Sequence, residues 1–127
     1  YASHLLKIRT LDTKKRIKFI LLFGSTARGT NHILSDVDLA VYYVGTKRER
    51  SDFLQKVLGI MSKKVDVSIF QDLPLAVQRE VISGKLVYCV DTTLMTNEFF
   101  RVITNYRYYG SHLKVYFETL EAVTLGN

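Results

Sequence analysis

Three groups of residues in this chain have types and spacings suited to phosphoryl chemistry: Gly24-Ser25, Asp36-x-Asp38 and Asp66. Gly24-Ser25 follows an apolar run and precedes residues 26–29, which can form a single helical turn. Glycine lets the backbone approach a ligand closely, and exposed N–H groups with the Ser25 hydroxyl can hold phosphate oxygens. Arg28 can add a charge-assisted contact to the same phosphates. By itself, a Gly-Ser pair is more often a capped strand-to-helix turn. Asp36 and Asp38 lie two apart on a predicted strand, so they project from one face with Cα atoms about 7 Å apart. Two such carboxylates repel each other unless a cation lies between them or water screens them. Oxygen donors in this arrangement suit Mg²⁺, which binds one or two carboxylates plus substrate phosphates. Asp66 is the polar member of a second alternation. If its strand lies beside that of Asp36 and Asp38, three carboxylates converge, as a two-metal phosphoryl-transfer site requires.

The elements that must position these groups are legible from the patterning. Residues 2–15 mix Leu5, Leu6, Ile8 and Leu11 with basic residues and predict a short helix ending at Lys14-Lys15-Arg16. Residues 17–23 form a continuous apolar run, the mark of a strand buried on both faces. Val37, Leu39 and Val41 alternate at strand period, as do Val65, Val67 and Ile69 around Asp66 and Ser68. A helix is expected over 48–62, with Phe53, Val57, Leu58 and Met61 facing the core. Another opens at Pro74 and runs to Ser83-Gly84. Residues 85–90 give a fourth strand, with Cys89 a small buried apolar residue. A helical pattern from 93 to 123 follows, interrupted at Gly110, where a kink or break is expected. Most of its aromatics are expected to pack on the sheet, and Tyr108 falls off the apolar stripe as the best exposed anchor. Strands alternating with helices predict an α/β (α+β) domain: a small mixed β-sheet flanked by helices, with a long C-terminal helical segment.

Composition narrows the setting. The chain has 127 residues, with no repeat, low-complexity tract or linker, so residues 1–127 are expected to form one domain. A hydrophobic fraction of 47% and a charged fraction of 24% argue against disorder. No apolar run is long enough to span a bilayer, so no membrane partner is expected. The chain opens on Tyr1-Ala2-Ser3-His4, with no secretory pattern. A single cysteine excludes an internal disulfide and a zinc cluster, and a reducing cytoplasm is the expected location. With 18 Lys+Arg against 12 Asp+Glu, the net charge of +6 favours a polyanionic partner. The basic clusters read as solvated element ends rather than an RNA groove.

Leu22-Phe23-Gly24-Ser25-Thr26-Ala27-Arg28-Gly29, then Ser35-Asp36-Val37-Asp38-Leu39-Ala40-Val41, then Val65-Asp66-Val67, resemble the motifs of the DNA polymerase β-type nucleotidyltransferase superfamily. Within it they are similar to the minimal nucleotidyltransferases, small prokaryotic proteins encoded beside HEPN-domain partners. The resemblance covers residues 17–70. The segment from Gly84 to Cys89 and the aromatic helix after it are similar, less specifically, to the downstream part of that family. The resemblance implies a polymerase β-like fold. It also implies that Gly24, Ser25 and Arg28 bind the nucleotide triphosphate, and that Asp36 and Asp38 are metal ligands. Asp66 would complete the Mg²⁺ site, holding one of two ions and activating the attacking hydroxyl. The implied reaction is transfer of AMP from ATP to a tyrosine hydroxyl of a HEPN toxin, silenced by an antitoxin of this type. Larger relatives carry a second domain that grips an aminoglycoside, tRNA end or primer. These 127 residues are expected to be used up by the core and the terminal helix, which favours a separate protein acceptor over nucleic acid as direct substrate. Two alternatives of other classes remain: a non-catalytic module that neutralises its partner by contact, and an RNA-binding accessory protein.

Overall fold

The computed structural model describes residues 2–24 and 37–124, with the backbone alone from Gly110 onwards. Ser25, Arg28 and Asp36 therefore lie outside the described residues. The chain runs α1 (Ala2–Leu11), β1 (Ile17–Phe23), β2 (Val37–Tyr43), α2 (Lys47–Ile60), β3 (Val65–Ile69), a 3-10 turn (Phe70–Asp72), α3 (Leu75–Ile82), β4 (Lys85–Cys89) and α4 (Thr92–Thr124). The strands form one mixed sheet in the order β3-β2-β1-β4. β1 pairs antiparallel with both β2 and β4, and β2 pairs parallel with β3. This is the mixed α+β architecture that the patterning predicts.

Each face of the sheet carries its own apolar cluster. On one, Ile20, Leu22, Leu39, Val41, Val65 and Val67 pack with Ile8 of α1 and with Phe53 and Val57 of α2. On the other, Phe19, Leu21 and Ala40 pack with Phe70, Val81 of α3 and Val102 of α4. Alternation along a strand sends neighbours to opposite faces, so the continuous apolar run of β1 supplies both clusters at once. Phe19 is fully buried at the centre of the second, with ring centroids 5.5 Å from Phe70 and 5.9 Å from Phe99.

Element ends differ from expectation for local reasons. α1 stops at Leu11 rather than near residue 15 because the buried Asp12 carboxylate takes over the backbone. Its two oxygens accept from Arg16 N and Ile17 N, each at 2.9 Å, an arrangement that competes with helical hydrogen bonds. Lys15, with φ 55°, completes the turn into β1. α2 begins at Lys47 because Thr46 and Glu49 form a reciprocal capping box. Its buried residues are Phe53 and Val57, flanked by half-buried Leu54 and Met61, whereas Leu58 sits at the edge of that stripe and is 43% exposed. α4 is continuous through Gly110, so the expected break does not occur. Ile103 and Tyr109 of α4 are exposed, at 42% and 49%, and Cys89 is half-buried rather than buried. No helix among the described residues is long and apolar enough to cross a membrane.

Candidate functional site

β3 lies directly beside β2, and the register places Asp38 opposite Asp66. In the other direction Asp38 stands opposite Phe23, the last residue of β1. Phe23, Asp38 and Asp66 thus form one row across three strands. Alternation puts the row on the sheet face covered by α3 and α4, since Ala40 and Tyr42, the next same-face positions of β2, pack into that cluster. At this end the cover is incomplete: Asp38 is half-buried and Asp66 is exposed. Like charges directly opposite on adjacent strands repel each other and are destabilising. Two carboxylates facing each other across adjacent strands offer oxygen donors that a shared cation can bind.

Gly24 joins the row at the end of β1. Its φ of +80° lies in the left-handed region open to glycine, and a Cβ there would stand 2.5 Å from Asp38 Oδ2. The glycine thus does two things at once: it turns the chain sharply out of β1 and leaves room for the Asp38 carboxylate against the backbone. The chain entering Ser25 starts from this point. Of the six site residues expected from the sequence, the fold brings Gly24, Asp38 and Asp66 together. Ser25, Arg28 and Asp36 fall outside the described residues.

Two further residues shape the same end of the sheet. Gly84 follows α3, and a Cβ on it would overlap the carbonyl oxygen of Leu22, so glycine permits the α3–β4 junction to close against the last turn of β1. The sequence motif marked Gly84, but its structural reason is this cross-strand approach, which one-dimensional patterning does not reveal. Ser68, one step along the same face from Asp66, donates its hydroxyl to Leu39 O at 3.5 Å and is thereby turned toward β2. Farther along this face, burial pushes the Tyr42 phenol above its ordinary value, with Glu98 adding to the effect. It stays protonated at neutral pH and is no base. Among the described residues no three His, Cys, Asp or Glu form a metal-binding group. Asp38 and Asp66 supply two hard oxygen donors on one face, and this donor chemistry fits Mg²⁺ with phosphate oxygens completing the shell.

A left-turning glycine at the end of a buried strand, set against a carboxylate pair on the two neighbouring strands, is the framework of a nucleotidyltransferase. The chain belongs to the polymerase β nucleotidyltransferase family, whose sequence model matches residues 7–93. A candidate protein adenylyltransferase of Methanocaldococcus jannaschii is 32% identical over 82 residues, 65% of this chain and 63% of that relative. The match thus spans less than two thirds of that relative's length. Among solved structures, a toxin–antitoxin crystal structure with AMP-PNP matches with a TM-score of 0.71 at 20% identity, covering 94% of this chain and 97% of the other. A structure of tri-AMPylated Shewanella oneidensis HEPN toxin in complex with MNT antitoxin matches with a TM-score of 0.63 at 18% identity, covering 94% and 98%. At such identities these likenesses establish the fold.

Proposed function

We propose that this chain is an Mg²⁺-dependent nucleotidyltransferase that moves AMP from ATP to a tyrosine hydroxyl of a HEPN-domain partner, and so acts as an antitoxin. The observation that carries the reading is the in-register Asp38–Asp66 pair with Gly24 set against Asp38. The adenylyltransferase relative and the toxin–antitoxin folds support the choice of donor and acceptor.

Gly24 and Ser25 would receive the triphosphate, with Arg28 assisting, at the turn leaving β1. Asp36, Asp38 and Asp66 would hold Mg²⁺, which when bound neutralises phosphate charge and favours the pyrophosphate leaving group. The exposed Asp66 carboxylate would accept the proton of the attacking hydroxyl. The tyrosine oxygen forms a bond to the α-phosphorus as the bond between that phosphorus and the β-phosphate bridging oxygen breaks. AMP remains on the tyrosine and pyrophosphate leaves.

The purified chain, ATP, Mg²⁺ and a HEPN-domain protein from the same organism should together yield a mass gain of AMP on the HEPN protein. Asp38→Asn and Asp66→Asn should each lower the rate at least about a hundredfold, because each removes a ligand from the same charge-neutralising site. Full transfer by either variant would refute the assignment. Neutralisation of the partner by both variants without transfer would instead favour the contact-only module.

A further inference from the structure

We propose that the outward face of α4 is the docking surface for the acceptor protein, and that the acceptor meets it with an apolar patch rimmed by carboxylates. The inference rests on the reading of this chain as a transferase acting on a protein. On that face Phe100 is 71% exposed and Tyr108 74% exposed, and Ile103 between them is 42% exposed. Spacings of three and eight residues keep all three on one side of the helix, away from the fully buried Val102. Tyr108 is braced by Tyr109 in an edge-to-face pair with centroids 4.7 Å apart, so its ring is presented with part of its freedom already lost.

The polar residues around the stripe distinguish an interface from an ordinary solvated face. The exposed side of α2 carries Lys47, Arg48, Asp52 and Lys56, as a water-facing helix does. The exposed side of α4 up to Tyr109 has no lysine and no aspartate; threonine, asparagine and the arginines Arg101 and Arg107 surround the apolar side chains. Aromatics and arginine with lysine, aspartate and glutamate depleted is the composition of an interface core. The single acid, Glu98, is bound by Arg101 at 2.8 Å. Arg107 is thus the one charge on the stripe that no carboxylate among the described residues pairs with, and it calls for one from a partner. A second copy of this chain would bring another Arg107 and a net charge of +6. A nucleic acid would need several cations in a row. An acidic protein surface satisfies all three features.

The location suits transfer. α4 packs on the sheet face that carries Asp38 and Asp66: Phe99 lies against Phe19, and Tyr106 lies under the Arg79 guanidinium at 6.0 Å near the end of α3. α3 leads directly to Gly84 and the Leu22 end of β1. A partner held on α4 is held on the side from which its hydroxyl must reach the carboxylates.

The test uses the HEPN-domain acceptor of the transfer assay with Phe100→Ala/Tyr108→Ala, Arg107→Glu and Arg107→Lys. Both exposed apolar truncations and the charge reversal should raise the calorimetric Kd for the acceptor, and the KM for it, at least about tenfold. Arg107→Lys should stay near wild type, and ATP binding should be unchanged in all. An unchanged Kd in the double variant would overturn the proposal. So would a self-association of the chain alone, seen by sedimentation and lost in the same variant, since the occupant would then be a second copy. If the wild-type chain binds the acceptor through α4 yet transfers no AMP, the docking surface stands and the transferase reading fails.

Discussion

Gly24 and Asp38 compete for the same space, and only the absence of a side chain at residue 24 resolves the conflict. Gly24→Ala would force a left-handed alanine and push Cβ to 2.5 Å from Asp38 Oδ2. It should destabilise the protein by about 1–3 kcal/mol in chemical denaturation. Transfer should fall by more than the unfolded fraction accounts for, because the carboxylate must move. Retained rate per folded molecule would show that the placement of Asp38 is unimportant. Asp12 illustrates the opposite use of a carboxylate. It is 7% exposed and spends both oxygens on backbone N–H groups, so its work is to turn α1 into β1.

Among elements, α2 is tied down at its start by one residue in two roles. Glu49 accepts from Thr46 N at 2.9 Å in the capping box, and it pairs with Arg16 before β1. The Arg16 guanidinium first, and the Thr46 backbone second, pull its carboxyl down to about 2 from 4.5. A depressed acid contributes stability that is present above its unfolded value and lost as pH falls through its folded one. The stability of the protein should therefore decline between about pH 4.5 and pH 2 partly through Glu49. Glu49→Gln should flatten the slope of unfolding free energy against pH in that window, and added salt should shrink the difference, because the pair is partly exposed. An unchanged slope would mean that the pair does not persist in solution. The sequence carried the signal for this end of α2 in Thr46-x-x-Glu49. Apolar periodicity alone places the start one residue late, since capping lies outside the apolar repeat.

For the whole molecule, Phe19 makes more ring contacts than any other aromatic described: it stacks with Tyr42 at 5.0 Å and meets Phe70 and Phe99 edge-on. Phe19→Ala should lower stability by about 3–5 kcal/mol, read from a denaturant midpoint, and should loosen α4 from the sheet, raising amide exchange near Val102. A loss under about 1 kcal/mol would place the main cohesion in the α1–α2 cluster instead. The assembly of the molecule shows where sequence reading succeeds. The β1 run of apolar residues can lie only in a strand covered on both sides, and the apolar alternations around Asp38 and Asp66 can present their polar members on only one face. These local periods determined the strands, the helices between them and the candidate carboxylates. That Asp38 faces Asp66 was decided by β3 pairing parallel to β2 in one particular register, and a period of two is equally satisfied by any even shift. That Gly24 and Gly84 must be glycine was decided by contacts with Asp38 and with the Leu22 carbonyl, partners distant in sequence from at least one of them. The exposed face of α4 was likewise settled by which side of a helix, aromatic on several sides, the sheet had room to cover. Short-range order follows from residue type because it is a matter of neighbouring backbone geometry and burial; the site exists only where strands separated in sequence are brought to one edge.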